Sequence, residues 1–453
     1  MLTINKIRNK IRAFAGDNDN KEVVQSSAII FMLKVFFALI GFVISIVITR
    51  FLSVADAGYY FFMLAMVALL SSVSRLGVDN AIVRFTAVAN SQQDFKKIKA
   101  INALSLKVAL AGSLFTSVVL WLFCKFAYSF VFEDDGYLLP LQWTVYIVPL
   151  ISCSVVYSQS FQGLKKVKLF ALFNAVVRPI NLFILVIIIL TTEKLVSNAV
   201  YASYFVASLL ALLLASLFWY RCINVVQHDS KVLDQQETSE DVILNDFQTD
   251  FFKSCHSLWA IACLAILMGQ GAQVLLGVFA SVEDVAHFAV ANRVAMLMSF
   301  VLLAVNGILS PKFAEIAAEN DNQRLQKIYR SSTKVMLVIT SPLLIISFIF
   351  APSILLLFGE QYQQSSTILR ILIAAQFVKV VVGSVGQLLI MSGAERSQKH
   401  NLAISVFLLT IVSVALIPLY GALGAAIAAF IAISTNNLLG LFKVFKTLKI
   451  SLF

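Results

Sequence analysis

The chain has 453 residues, of which 60% are hydrophobic and 13% charged, and its net charge is +11 at pH 7; its mean hydropathy is +0.88. A soluble domain is nearer 45–50% apolar and about 25% charged, so the composition excludes an ordinary water-soluble globular protein. The charge raises nucleic acid as a partner, and the placement of the basic residues along the chain removes it.

In chain order, residues 1–25 form a basic cytoplasmic N-terminal segment. Lys6, Arg8, Lys10 and Arg12 precede an apolar stretch of full spanning length that carries no small-residue cleavage site, which argues against a secretory signal peptide. Ile4, Ile7, Ile11 and Phe14 keep helical spacing, which fits a basic amphipathic helix on the inner leaflet and a plain basic tail equally well. A membrane-spanning helix needs about 20 mostly apolar residues. Twelve such segments follow, near 26–49, 58–78, 103–124, 138–160, 169–191, 197–220, 254–279, 286–309, 334–351, 365–391, 401–418 and 421–442. Residues 26–221 are expected as an N-terminal six-helix bundle and 254–453 as a C-terminal one with a cytoplasmic tail. Between them, 222–253 reads as an acidic cytoplasmic linker: Val226 to Asp250 carries seven acids against one lysine. The fold class is therefore an all-α polytopic membrane protein with about twelve transmembrane helices.

With the N-terminus on the cytoplasmic side, 26 of the 35 basic residues fall in cytoplasmic segments, three in outer loops (Arg50, Lys125 and Lys194) and six within spans. This is the positive-inside bias; it accounts for the charge through the lipid bilayer and leaves no role for nucleic acid. Six spans per half return each half to the side it started from, so the two bundles have parallel topology, related by an axis along the membrane normal. The five cysteines lack C-x-x-C spacing and the four histidines have no ligand nearby, so no cofactor or metal is expected. The longest outer loop runs from about Lys125 to Tyr137, too short for a folded domain. Function has to lie within or across the bilayer.

An internal repeat supports the duplication. Ser53-Val-Ala-Asp-Ala-Gly-Tyr-Tyr recurs 228 residues later as Ser281-Val-Glu-Asp-Val-Ala-His-Phe, and Arg84-Phe85 recurs as Lys312-Phe313. A weaker echo at offset 230 sets Phe161-Gln-Gly-Leu-Lys-Lys-Val-Lys against Met391-Ser-Gly-Ala-Glu-Arg-Ser-Gln, with Gly163 opposite Gly393. On these offsets Arg293 aligns with Ala65 and Arg178 with Leu408. Gly421, Gly424, Ala425 and Ala428 place small residues on one face for close helix packing.

The six intramembrane cations are the informative charges. Lys107 and Arg370 lie near segment ends and can snorkel to the headgroups. Lys34, Arg178, Arg293 and Lys379 lie deeper, where insertion of one cation costs about 2.5–3.5 kcal/mol. Acidic partners are nearly absent from these spans, Asp79 being the nearest exception, so the four cations are expected to line a wet cavity and to bind an anion. Arginine's planar fork suits phosphate. Pro179 is expected to kink span five and free the carbonyl of Ala175 beside Asn174 and Arg178. Span eight adds Asn292 and Asn306. Span seven adds Gln270 and Gln273 at i and i+3, amides suited both to sugar hydroxyls and to helix-to-helix contacts.

The run Arg50-Phe-Leu-Ser-Val-Ala-Asp-Ala-Gly-Tyr-Tyr and the run Arg75-Leu-Gly-Val-Asp-Asn-Ala-Ile-Val-Arg-Phe resemble the polysaccharide biosynthesis (O-antigen flippase) family of the multidrug/oligosaccharidyl-lipid/polysaccharide exporter superfamily. So do Ala304-Val-Asn-Gly-Ile-Leu-Ser-Pro-Lys-Phe, Leu357-Phe-Gly-Glu-Gln-Tyr, Leu389-Ile-Met-Ser-Gly and Ile417-Pro-Leu-Tyr-Gly-Ala-Leu-Gly-Ala-Ala-Ile-Ala. The resemblance implies a non-enzymatic flippase of the bacterial inner membrane that carries an undecaprenyl-pyrophosphate-linked oligosaccharide by alternating access for surface polysaccharide or lipopolysaccharide. Arg178, Arg293, Lys34 and Lys379 would hold the pyrophosphate; Asn174, Gln270, Gln273 and Asn292 would meet sugars or packing partners. A coupling ion, a polysaccharide polymerase and glycosyltransferases are partners by family analogy alone. Many relatives carry an acidic and a basic residue in span seven, where this chain has Gly271-Ala-Gln273-Val. Two other readings stand beside this one. An ion-coupled drug exporter would favour deep acids, and a membrane polymerase or glycosyltransferase would favour a large outer loop or paired carboxylates at a membrane face.

Overall fold

The computed structural model describes residues 18–192, 195–230, 240–300 and 321–448, with isolated positions between 301 and 320. The expected N-terminal amphipathic helix at 4–14 lies outside the described residues. No strand is present among those described. The first half comprises α1 (Asn18–Phe51), α2 (Val54–Ser74), α3 (Val78–Ser91), α4 (Phe95–Phe126), the short α5 (Tyr128–Val131), α6 (Leu138–Gly163), α7 (Val167–Phe173), α8 (Val177–Thr192) and α9 (Ser197–Ser230). The second half comprises α10 (Glu240–Phe279), α11 (Val282–Leu297), α12 (Asn322–Ile349), α13 (Ala351–Leu356), α14 (Ser366–Val382), α15 (Val385–Met391) and α16 (Glu395–Leu448). Helix continues through 222–230 and 240–253, so the expected linker is helical at both ends.

Among the described residues nine helices are long and apolar enough to span a bilayer, and α7 with α8 makes a tenth span bent by 41°. One of the nine is α16, which is two spans joined at Gly421 (φ 53°, ψ −130°). The twelfth is α11, whose helical course resumes at residues 302, 305, 306, 309, 313 and 316. The chain is an all-α membrane protein of twelve spans in two parallel six-helix bundles. Spans turn alternately at a basic face, carrying the turns at 92–94, 164–166 and 392–394, and at a far face, carrying those at 52–53, 127–137, 280–281, 350–365 and 421.

Elements of the two halves correspond at an offset of 228: α1 ends at Phe51 and α10 at Phe279, and α6 spans Leu138–Gly163 where α14 and α15 together span Ser366–Met391. The turn that follows corrects the offset of 230. Lys166 N–H bonds Phe161 O at 2.9 Å across a left-handed Lys165 (φ 58°). Ala394 N–H bonds Leu389 O at 2.8 Å across a left-handed Gly393 (φ 75°). Both are Schellman-type helix ends, so Gly393 matches Lys165 rather than Gly163, and Arg178 matches Val406 rather than Leu408.

The repeated Ser-x-x-Asp is a capping device used twice. Ser53 Oγ accepts from Asp56 N at 3.1 Å, and Ser281 Oγ accepts from Asp284 N at 3.2 Å, each starting the second span of its half. Each aspartate also reaches the last span of the same half. Asp56 Oδ1 accepts from Ser197 Oγ at 2.6 Å, and Asp284 Oδ1 accepts from Ala422 N at 3.0 Å, just past the Gly421 break. Gly424, expected as a packing residue, closes that break, because a Cβ there would lie 2.6 Å from the Leu416 carbonyl carbon.

Between the halves, α2 and α11 cross at the far face. A Cβ on Gly58 would collide with the Val282 carbonyl oxygen and sit 2.8 Å from Val282 Cγ2, so the crossing requires glycine. Along the rest of α2 runs α10, whose Trp259 Nε1 donates to Val73 O at 3.0 Å. In the far-face turn of the first half, Tyr59 donates to Asp134 Oδ2 at 2.5 Å and Tyr128 donates to the Asp134 carbonyl. Burial first, then the Asp134 and Asp135 charges, push the Tyr128 phenol up to about 12, so it remains a donor.

Candidate functional site

The site is laid out on one stripe of α1. Lys34, Gly41 and Ser45 are spaced by seven and four residues, which returns them to one helix face over roughly 16 Å of rise. Arg178 meets this stripe from α8: its Nη1 donates to Phe37 O at 3.3 Å, and a Cβ on Gly41 would lie 3.5 Å from its Cδ. Arg293 meets it from α11, donating from Nη1 to Ser45 Oγ. Ser45 passes the bond on to Gly41 O at 2.8 Å. The Arg293 guanidinium also lies 4.0 Å over the Phe61 ring.

Arg178 and Arg293 come from opposite halves and lie within electrostatic reach of each other, with Tyr204 near both and Tyr60 near Arg293. Behind them Asn181 Nδ2 donates to Tyr60 Oη at 3.3 Å, and Ser203 Oγ donates to Asn181 Oδ1 at 2.9 Å. Neither arginine has a carboxylate partner among the described residues. Asp79, the acid expected nearby, is instead paired with Arg75 at 2.7 Å. The Arg178 side chain is exposed although its helix is packed into the bundle, and Arg293 is half-buried. Two like charges held together without a counter-ion form an anion site, with phenols and a hydroxyl around it as further hydrogen-bonding groups.

The other expected residues divide. Lys34 is half-buried on the same α1 stripe, one turn towards the basic face from the Arg178 contact. Asn174 is exposed where α7 ends, and Asn292 is half-buried beside Arg293. Gln273 is buried and donates from Nε2 to Phe61 O at 2.6 Å, so it joins α10 to α2 directly under the ring that carries Arg293. It is a helix-to-helix contact. Gln270, one turn earlier, is half-buried. Lys379 makes none of these contacts; it is half-buried on α14, one turn after Gln376, which accepts from Ser299 at 2.7 Å. The expected free carbonyl of Ala175 is not free. Arg178 N–H bonds it at 3.1 Å, because the chain breaks at 174–176 and Pro179 falls in the first turn of a new helix, where its missing N–H costs nothing. Arg370 behaves as expected, lying along Phe348 and donating to its carbonyl at 3.2 Å.

Sequence reasoning missed Ser45, Tyr60, Phe61, Asn181 and Tyr204. Ser45 and Gln273 are 228 residues apart, which was a usable signal: each lies on the first span of its half and contacts the second span of the other half.

The family described as "Polysaccharide biosynthesis protein" matches residues 23–317. The chain is 22% identical over 196 residues to a protein named "Probable low-salt glycan biosynthesis flippase Agl15" and 28% identical over 172 residues to "Probable flippase AglR", both from Haloferax volcanii. These matches span 42% of each chain in the first case, and 37% of this chain and 36% of the relative in the second. In structure it is similar to an inward-facing multidrug resistance MATE transporter of the MOP superfamily (TM-score 0.67, 14% identity, 91% of this chain and 94% of the other). It is also similar to the lipid II flippase MurJ in an inward closed conformation (TM-score 0.61, 13% identity, 92% and 87%). At such identities these likenesses establish the fold, that of a MOP-type membrane transporter. The family match covers well over half of the sequence, and the chain belongs to the polysaccharide biosynthesis protein family.

Proposed function

We propose that the chain is a flippase that moves an anionic lipid-linked oligosaccharide, of the undecaprenyl-pyrophosphate type, from the inner to the outer leaflet of a bacterial inner membrane. The cycle is alternating access and includes no covalent step. The observation that carries this reading is the pair Arg178 and Arg293, brought from the two halves to one stripe of α1 without a carboxylate between them. A pyrophosphate offers oxygens to both guanidinium groups at once, and Lys34, nearer the basic face, extends the cationic path along which it would arrive. The basic face is cytoplasmic on the positive-inside bias, which also places both termini there. Relatives named as glycan flippases support the substrate class. Supply of the glycan to surface polysaccharide such as O-antigen, a coupling ion, and polymerase or glycosyltransferase partners belong to the same reading. Lys379, Asn174, Asn292 and Gln270 are kept as sugar or headgroup contacts of the wider cavity.

The test is leaflet transfer in liposomes containing the full chain and an undecaprenyl-pyrophosphate-linked oligosaccharide. Transfer of the unaltered lipid is expected, with Arg178→Ala and Arg293→Ala each reducing it at least tenfold while the protein still inserts. Normal transfer by both variants would remove the cations from the mechanism; a covalently altered lipid would make the protein an enzyme.

A further inference from the structure

The far-face segment 357–365 belongs to the second half but is held by the first. Arg50, the last-turn residue of α1, donates from Nε to Leu357 O at 3.0 Å and from Nη2 to Leu356 O at 2.8 Å, so one guanidinium caps the C-terminal carbonyls of α13 across the interface. Gln361 Nε2 returns towards Thr49 O at 3.5 Å, and Phe358 packs edge-on against Phe42 with ring centroids 5.1 Å apart. The segment's hold on its own half is separate and deeper. His287 of α11 binds Ser365 Oγ through Nδ1 at 2.7 Å and Gln364 through Nε2 at 2.9 Å, beside the buried Tyr362 ring. The two grips are of unequal strength: the His287 pair is buried, whereas Arg50 is exposed and its bonds exchange readily with water.

The equivalent position in the other half is built differently. At offset 228 the counterpart of Arg50 is Val278, and the counterpart of 357–365 is the turn at 129–137. Val278, Val131 and Phe132 line an apolar cleft of about 320 Å³ with no polar cross-link between them. One side of the far face is therefore bonded and the other merely abuts.

We propose that residues 357–365 form a latch, held by Arg50, that keeps the far face closed, and that the far face opens by releasing Arg50 while the segment stays on His287. This rests on the proposed transport cycle, since only a protein that opens at both faces needs a latch. Release removes two hydrogen bonds from a charged donor at an exposed site, so loss of the guanidinium should raise the open population about tenfold.

The test is hydrogen–deuterium exchange of the full chain in nanodiscs, which needs no substrate. Arg50→Met is expected to speed amide exchange about tenfold in 357–365 and at the end of α1, Arg50→Lys by less, and Val278→Met not at all, with exchange in the basic-face turns at 92–94 and 392–394 unchanged. Unaltered exchange in 357–365 overturns the latch. So does an equal rise at both faces, which would make Arg50 a general stabiliser of the fold. A wild-type protein that moves no lipid-linked glycan refutes the transport reading instead, and leaves the exchange pattern to be read on its own.

Discussion

Arg293 separates a structural from a ligand-binding role most sharply, and Arg293→Met is the substitution to make. In the empty protein the guanidinium lies 4.0 Å over the Phe61 ring, worth about 0.5–2 kcal/mol, and bonds Ser45, worth about 1.5–3 kcal/mol for a charged donor. Against these stand a cost of about 2.5–3.5 kcal/mol for a cation at membrane depth and repulsion from Arg178. The terms cancel to within about 1 kcal/mol, so Arg293→Met, which keeps most of the volume, should leave the thermal stability of the empty protein nearly unchanged. With an anion between the arginines the balance is different. Losing one charge-assisted contact of about 1.5–3 kcal/mol weakens binding about 10- to 150-fold. The assay is paired: thermal unfolding of the purified protein, and calorimetric titration with inorganic pyrophosphate as the soluble probe. A variant destabilised by more than about 2 kcal/mol that binds pyrophosphate like the parent would refute the reasoning, because Arg293 would then be glue between α11 and α2. The calculation assumes that Met fills the space over Phe61 without opening a void.

Other consequences follow from the same contacts. Gly58→Ala forces α2 away from Val282 where the halves cross, and should lower stability by about 1–3 kcal/mol, read as a reduced unfolding midpoint; a neutral result would mean that the crossing is looser than the geometry indicates. Asp284→Ala removes the acceptor for Ala422 N–H, and Asp56→Ala the acceptor for Ser197; each should cost about 1 kcal/mol in thermal unfolding, and the two should match because the device is the same in both halves. Gln273→Leu leaves the Phe61 carbonyl without its 2.6 Å donor in a buried site and should cost about 1–3 kcal/mol, with weaker pyrophosphate binding as well, since Phe61 carries Arg293. Unchanged pyrophosphate affinity in a destabilised Gln273→Leu would uncouple the two contacts.

Much of the fold was legible because a bilayer leaves few choices: apolar length gave the spans, and lysine and arginine placement gave their alternation. The Ser-x-x-Asp repeat was legible as duplication but not as a cap on the last span of each half, because Ser197 and Ala422 lie over 130 residues away and carry no motif. The offset of 230 failed because identity of glycine was matched rather than identity of conformation. The left-handed residue is Lys165 in one copy and Gly393 in the other, and only the backbone reveals the equivalence. At the site, the deep arginines could be found because charge is costly in lipid. Ser45, Tyr60 and Tyr204 could not, since a hydroxyl in a span is ordinary until a partner from another helix faces it. Gln273 was readable either as a ligand contact or as a helix contact, and its 2.6 Å bond to Phe61 O decides for the latter.

What the two copies share and where they differ belong to different parts of the mechanism. Shared features at offset 228 are those that build a rigid bundle: the paired caps, the Schellman ends and the aligned helix limits. Chemically distinctive residues sit where the copies disagree: Arg293 faces Ala65, Arg178 faces Val406, Lys34 faces Ala262 and Arg50 faces Val278. A symmetric pair of bundles could rock between two states with nothing to distinguish its faces. Cations on one stripe of α1 give the cavity a single place for an anion, and Arg50 at the far end of that same helix gives the closed face a bond to break. Helix α1 therefore carries both the ligand site and the closure, separated by little more than one turn between Ser45 and Arg50. An anion that draws Arg178 and Arg293 together shifts α1 against α11, and that displacement is delivered to the end of the helix where Arg50 holds the second half.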